Sequence, residues 1–426
     1  MRENSLIKQF DWLTLLMYLA IVTIGCLNIY AADYNVLDEV SFFNLDTHSG
    51  KQVLFLGIAG LLTILILLID FKLYFSLGYL AYGLAILFLL LPFLWKATNG
   101  AQAWIPLGPI KIMPAEFVKV AIALGLAKYI DESPHFKIGM NKDTSSLLGL
   151  ILFPSIIVLL QNETGTVLVF FSLMFMFYRE GLSFIIPLLG LVVITLFAVS
   201  VSYAFYGKGL LPVYLSITGL AIALGYFVRK NKSVMGLLFG AWLFCVGVVT
   251  GSSFVYNNVL QKHQQNRVAT LFDPYKDKLG AGWQVIRALT GISSGGTQGK
   301  GFLEGDITQG DFVPEQHTDM IFTTIAEEQG FWKTSAFILL YGGFLIRLLF
   351  LAERQRSIFS RVFGYSLTSF LFFHFMINIG MTMNLFPVIG IPLPFVSYGG
   401  SSMLAFSIML FIFLKLDMHR SQVLAR

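Results

Sequence analysis

Apolar runs of about 20 residues recur along this chain from one end to the other, and each is long enough to cross the roughly 30 Å hydrocarbon layer of a bilayer. Of the 426 residues, 56% are hydrophobic and only 12% charged, and the mean hydropathy is +0.74. These proportions exclude a water-soluble core. The length alone would allow two or three soluble domains, but the unbroken recurrence of apolar runs predicts a single membrane domain over 1–426. The first run, Trp12 to Ala32, follows one or two basic residues as a signal peptide would. It is too long for one and lacks a small-residue cleavage site, so it is expected to stay as the first span. Cys26 and Cys245 both fall inside apolar runs, leaving no disulfide framework, metal-type spacing or basis for redox chemistry. The formal charge of +5 comes from basic residues scattered through short loops. That pattern reports topology and gives no nucleic-acid stripe.

The predicted fold is all-α, a polytopic transmembrane bundle of about twelve spans. They are 12–32, 53–69, 73–95, 115–130, 145–160, 165–178, 183–206, 209–228, 234–256, 333–351, 361–384 and 402–416. Alternate connections carry Lys72, Lys137 and Lys142, Arg179, then Arg229, Lys230 and Lys232, then Arg354, Arg356 and Arg361. By the positive-inside rule these connections and both termini face the cytoplasm. The connection from Asp33 to Lys51 carries Asp33, Asp38, Glu39 and Asp46 and faces outward. One outer connection, 257–332, is far longer than an ordinary loop, which marks it as functional or disordered. Its glycines, Gly280, Gly282, Gly295, Gly296, Gly299 and Gly301, predict turns. Its tail from Pro314 to Trp332 predicts a helix feeding the next span. No low-complexity stretch, soluble linker domain or internal repeat is visible.

Ionisable or helix-breaking groups in or beside a span are costly, and each is a functional candidate. Four places qualify. The first runs from Asn99-Gly-Ala-Gln-Ala-Trp-Ile-Pro-Leu-Gly-Pro109 through Lys111 to Pro114-Ala-Glu-Phe-Val-Lys119. There Glu116 sits at the positive end of a helix dipole and Lys119 lies three residues on, along the same face. The two form either a self-neutralising ion pair or a charged wall that meets an anionic substrate group. The second place is Gln161-Asn-Glu-Thr-Gly-Thr166, where Glu163 is either a solvated turn residue or a site carboxylate. The third is Asn384 to Ser402, with Pro387, Pro392 and Pro394. Irregular backbone at membrane depth has to be buried in protein or line a cavity, so a re-entrant loop is expected there. The fourth is the long loop itself, with Arg267, Asp273, Asp277, and Glu315, His317 and Asp319. Asp273 precedes Pro274 and reads first as a turn initiator. Asp277 has no such local role. Glu315, His317 and Asp319 invite a metal reading, against which capping or loop anchoring is the commoner use of such residues.

At these four places the chain resembles the SEDS (shape, elongation, division and sporulation) family of membrane glycosyltransferases, and most closely its elongation, RodA-type branch. The resemblance covers nearly the whole chain. It is carried by Phe272-Asp-Pro with Gly280-Ala-Gly-Trp-Gln284, Gly299-Lys-Gly-Phe302, Pro314-Glu-Gln-His-Thr-Asp-Met-Ile-Phe322 with Ala326-Glu-Glu328, and Gly390-Ile-Pro-Leu-Pro-Phe-Val-Ser-Tyr-Gly-Gly-Ser-Ser402. Gln316 before His317 is similar to the elongation branch, where the division branch usually has Ala. What the resemblance implies is polymerisation of lipid II, an undecaprenyl-pyrophosphate disaccharide-pentapeptide, for cell-wall elongation and rod shape. Its loop aspartate falls on Asp277, as general base. It places Trp104, Glu116, Lys119 and Arg267 at positions lining or supporting the site, with Lys111, Glu163, Glu315, His317, Asp319 and Ser397 beside them. It admits a divalent cation, Mg2+ or Mn2+, on the pyrophosphate, and needs no nucleotide; no P-loop or other nucleotide motif is present. The implied partners are a class B penicillin-binding protein acting as transpeptidase and other elongation-complex membrane proteins. The implied location is the bacterial inner membrane.

Four departures from the family pattern stand out. Ala103 occupies the usual Arg position before Trp104, so that a phosphate contact is missing or comes from Lys111. The hairpin 161–166 lacks its usual proline, Lys278 replaces a proline after Asp277, and twelve spans replace ten, the extra pair lying within 183–256. Two other functions compete with polymerisation. A lipid II flippase or transporter should show charged or broken helices at the midplane of several spans, and a scaffold would need no ionisable cleft. Here the unusual residues cluster at outer ends and in one outer loop, around a pocket in which Asp277 is expected to face Lys119 and Glu116.

Overall fold

The computed structural model describes residues 9–34, 42–97, 100–108, 110–133, 142–276, 280–310 and 312–421. A helix stands at each of the twelve expected positions. Nine helices among the described residues are long and apolar enough to cross a membrane, and Gly78–Leu94 and Thr164–Arg179 are shorter apolar ones. The remaining expected span is the helix Pro114–Glu132, which carries Glu116, Lys119, Lys128, Asp131 and Glu132. The chain forms two compact units, one of 1–182, 287–383 and 389–426, the other of 183–286 and 384–388.

Of the nine helices long and apolar enough to cross a membrane, Gly400–Met418 and Ile358–Thr382 are the most buried, with 89% and 67% of their apolar windows inside the protein. They form the core on which the other helices pack: Pro114–Glu132 lies against both, His48–Leu68 against the former and Ile321–Glu353 against the latter. The first helix, Trp12–Asp33, is started by Asp11, whose carboxylate accepts the Thr14 amide at 2.9 Å, as an N-cap should. Arg354 then ties the beginning of the chain to the end of its last helix. Its Nε donates to Asp417 at 2.9 Å and its Nη2 lies 3.4 Å from Asp11. The start of the first helix and the end of the last therefore meet at one end of the unit.

In the second unit Ile185–Phe205 and Leu211–Val228 each pack on Lys232–Phe254. They keep large apolar side chains such as Leu211, Ile222, Phe227 and Leu237 on the outside. Surfaces of that kind fit a lipid surround.

Two local expectations are corrected. The stretch containing Gly282 is not a set of turns: Ala281–Ser294 is a helix with Val285 and Ala288 buried, and the turns begin only at Gly295. The tail from Pro314 does not start its helix at the proline. Residues 314–320 are turns, Glu315 has φ of 55°, and the helix begins at Ile321. The carbonyls of His317, Thr318 and Asp319 are the reason, because they accept from Tyr398, Ser397 and Asn378 rather than from amides one helical turn on. The first candidate place contains a short antiparallel ribbon, Ile105–Leu107 with Ile110–Ile112, pairing Pro106 with Lys111.

The helix Ile321–Glu353 is itself broken at Gly330, where φ is 69° and ψ −177°. The carbonyls of Glu327 and Glu328 accept the amides of Lys300 and Gly301, and the Phe331 amide turns to Gly296. These cross-bonds interrupt the helical ladder. A Cβ on Gly330 would sit 2.1 Å from the Gly299 amide nitrogen, and its dihedrals belong to a region open essentially to glycine alone. Gly330→Ala is therefore expected to destabilise the protein by about 1–3 kcal/mol or more. Gly342→Ala, in the same helix with nothing near its added methyl, should be neutral or stabilising. Thermal unfolding of the two variants in detergent checks the contrast.

Candidate active site

The helix Pro114–Glu132 begins with proline in its first turn and Glu116 at its N-terminal end, a placement the helix dipole favours. One turn on, Lys119 is only 1% exposed. Its Nζ donates to Glu116 Oε1 and Oε2 at 2.8 and 2.9 Å and to Nε2 of His374 at 2.9 Å. An ammonium has three protons, and these three acceptors use them. The ion-pair alternative thus describes Lys119 in this structure, with the Phe406 ring 5.0 Å from the charge. His374 was not foreseen. The signal was present, since a polar residue inside the apolar run 361–384 is costly, but its sequence position does not reveal its partners.

From His374 the hydrogen bonds continue into the non-helical segment Ile389–Gly399. His374 Nδ1 meets the Pro392 carbonyl at 2.8 Å. Four residues along the same helix, Asn378 Nδ2 donates to the carbonyls of Ile391 and Asp319, each at 2.9 Å. Ser397 Oγ accepts the Leu393 amide at 2.8 Å and donates to the Thr318 carbonyl at 2.6 Å. The Tyr398 amide donates to the His317 carbonyl at 2.8 Å and that of Gly399 to Gln52 Oε1 at 3.3 Å. Ser397 is thereby a clamp between two loops. Glu315 accepts the Thr318 hydroxyl at 2.9 Å, and the His317 ring stacks on His48 at 3.8 Å. His48 Nδ1 is 2.8 Å from Asp33 Oδ1. Among the described residues no group of three or more His, Cys, Asp or Glu side chains is placed to hold a metal ion. The interactions of Glu315 and His317, and the Asp319 carbonyl, fit loop anchoring.

The second place joins this assembly. Gln161 donates to the Leu89 carbonyl at 2.6 Å and its own carbonyl accepts the Gln102 amide at 2.9 Å. Glu163 is the half-buried N-cap residue of Thr164–Phe171. Gly165 lies so close to Ile389 and Ile391 that an added Cβ would be 3.4 Å from either side chain. Trp104 and Lys111 line a cleft of about 300 Å³ with Trp95, Lys96 and Pro106. Ala103, at the position of the expected arginine, is fully buried. The tail of the long loop carries a further cluster: Glu327 is fully buried and accepts from Lys300, Ser294, Ile307 and Thr308 at 2.8–3.2 Å.

Arg267 belongs to the second unit, in the last turn of Lys262–Ala269. Asp273 Oδ1 accepts the Tyr275 amide at 3.1 Å, the turn-initiating use expected of it. Asp277 and Lys278 lie outside the described residues.

Residues 11–236 and 219–422 match the cell cycle protein model of FtsW, RodA and SpoVE. The chain belongs to this family. It is 31% identical over 330 residues to the peptidoglycan glycosyltransferase MrdB of Escherichia coli, covering 76% of this chain and 73% of that protein. It is 29% identical over 418 residues to the peptidoglycan glycosyltransferase RodA of Treponema pallidum, covering 93% and 95%. A chain from a structure described as the structural coordination of polymerization and crosslinking by a peptidoglycan synthase complex has a TM-score of 0.69 and 27% identity, covering 97% and 99%. The rod shape determining protein RodA of Thermus thermophilus, at 23% identity and a TM-score of 0.58 over 97% and 98%, shares the fold. Together with the apolar helices, family membership makes the chain an integral membrane protein of the SEDS class.

Removing one partner from a buried ion pair costs about 3–5 kcal/mol, because the other charge is left unpaired. Lys119→Met should therefore lower the unfolding temperature in detergent more than Lys119→Met combined with Glu116→Gln does. Equal losses would show that Glu116 is not stranded when its partner goes.

Proposed function

We propose that this chain is a peptidoglycan glycosyltransferase of the elongation type, which polymerises lipid II into glycan strands on the outer face of the bacterial cytoplasmic membrane. The observation that carries the proposal is similarity along most of the chain to relatives named as peptidoglycan glycosyltransferases. Lys and Arg in alternate connections support cytoplasmic termini and an outward-facing long loop. The shared Arg354 contacts of Asp11 and Asp417 support termini on one side.

In the proposed reaction Asp277 takes the proton from the 4-hydroxyl of the acceptor sugar. That oxygen bonds to the anomeric carbon of the donor as the bond to pyrophosphate breaks, and undecaprenyl pyrophosphate leaves with the bonding pair. A single displacement of this kind inverts the anomeric centre and needs one base and cationic groups near the leaving phosphate. Lys111 supplies a suitable charge beside Trp104, whose indole offers an apolar face to a sugar ring, and the family resemblance assigns a supporting role to Arg267. The described donor set gathers no metal site, so no step is assigned to Mg2+ or Mn2+. The peptidoglycan synthase complex that contains a neighbour of this fold supports pairing with a class B penicillin-binding protein.

Polymerisation of purified lipid II, with and without that transpeptidase, tests the proposal. Asp277→Ala should lower turnover by at least 100-fold, a loss expected for a general base, whose contribution is about 10²–10⁴-fold. Asp273→Ala should retain most activity, its carboxylate serving a turn. The reverse outcome would move the base to Asp273. Transfer of labelled lipid II across vesicles without polymer would replace the polymerase reading with a flippase.

A further inference from the structure

His374 is fully buried and has a defined partner on each ring nitrogen. The Pro392 oxygen is a carbonyl and only accepts, so Nδ1 carries a proton and donates. Lys119 Nζ faces both carboxylate oxygens of Glu116 as an ammonium and has only protons to give, so Nε2 accepts from it. The ring is therefore neutral, in one tautomer, and stands between a charged pair and a backbone carbonyl. Pro392 follows Ile391, whose carbonyl is held by Asn378 of the same helix. It precedes Leu393, whose amide is held by Ser397, and Ser397 and Tyr398 grip the carbonyls of Thr318 and His317. A path of hydrogen bonds, carried across the Pro392–Leu393 peptide group, thus runs from Glu116 through Lys119 and His374 to the segment 315–319.

We propose that His374 is a positioning residue: by accepting from Lys119 and donating to Pro392 it locks the buried ion pair and the 389–399 segment into one unit, and so fixes the backbone that carries His317 and Asp319. Its effect on turnover rests on the glycosyltransferase reading; its effect on the loop does not. Nothing smaller than an imidazole spans both contacts. Asparagine can reproduce the donor at the Nδ1 position and glutamine the acceptor at the Nε2 position, but neither supplies both.

The test pairs two readouts on the full-length chain in detergent or nanodiscs. In hydrogen–deuterium exchange, His374→Gln, which keeps an acceptor for Lys119, is expected to speed exchange of the Leu393, Ser397 and Tyr398 amides at least tenfold. The early helix 358–370 should stay unchanged. His374→Phe should do the same. Exchange within twofold of wild type in both variants overturns the proposal, whether or not the protein polymerises anything. In lipid II polymerisation, His374→Gln and His374→Asn should each lower kcat about tenfold with KM within twofold. Lys119→Met with His374→Phe should be no slower than Lys119→Met alone, as expected of one coupled path. Phe363→Ala, which opens the same helix's core about three turns before His374, controls for stability. If it lowers kcat as much as the His374 variants at a matched loss of unfolding temperature, His374 is only a packing residue and the positioning role is refuted. A wild-type protein inactive on lipid II would count against the glycosyltransferase reading, while the exchange result still decides the loop.

Discussion

Backbone amides and carbonyls that leave the helical ladder inside a membrane protein must find partners in protein, because hydrocarbon offers none. The segment Ile389–Gly399 obeys this constraint and much of the first unit is organised around it. Side chains from three different helices reach its polar groups: His374 and Asn378 from Ile358–Thr382, Gln52 from His48–Leu68, and Tyr341 from Ile321–Glu353, whose hydroxyl donates to the Pro394 carbonyl; Lys119 from Pro114–Glu132 acts through His374. Polar residues in these helices are thus necessary partners of an irregular chain. Replacing His374, Asn378 or Gln52 by an apolar residue of similar volume would strand a backbone group, at a cost of about 1–3 kcal/mol.

The helices were legible because their signal is local. A run such as Ile185–Phe205 has no other stable state in hydrocarbon, and its limits follow from where apolar residues stop. The exceptions share one physical origin. The delayed start at Ile321, the break at Gly330 and the turns from Gly295 all occur where a carbonyl or amide is taken by a partner far away in sequence. Propensity and periodicity cannot register such competition. Ala281–Ser294 fails in the other direction: Gly280 and Gly282 dominate the local reading, yet the buried Val285 and Ala288 belong to a helical face.

The same distinction separates the parts of the candidate site. Glu116 and Lys119 were readable as a pair from their spacing of three, and Asp273 as a turn former from the proline after it. His374 sits in a run of apolar residues, and only the fold reveals that it lies within 2.9 Å of Lys119. Glu327 and Lys300 each stand in a recognisable motif, but their pairing at 2.9 Å depends on the turn at 295–301 approaching the helix backbone. Sequence marks which residues are unusual for a membrane. Their division between chemistry and support is set by the hydrogen bonds they complete.

Support of this kind has a consequence for catalysis. Electrostatic preorganisation works when the groups around a reacting centre do not have to rearrange as charge develops. A loop held only by water and its own turns would rearrange readily. The segment 315–319 instead has three successive carbonyls bound by Tyr398, Ser397 and Asn378, and the His317 ring stacked on His48. Two of those three bonds come from Ile389–Gly399, which is itself tied to the buried ion pair. Loss of Lys119 would therefore act beyond its own charge: it removes the donor to His374, frees one restraint on Pro392 and loosens the frame behind His317. A buried lysine in this position acts on the loop through the bonds it completes, without contact to that loop.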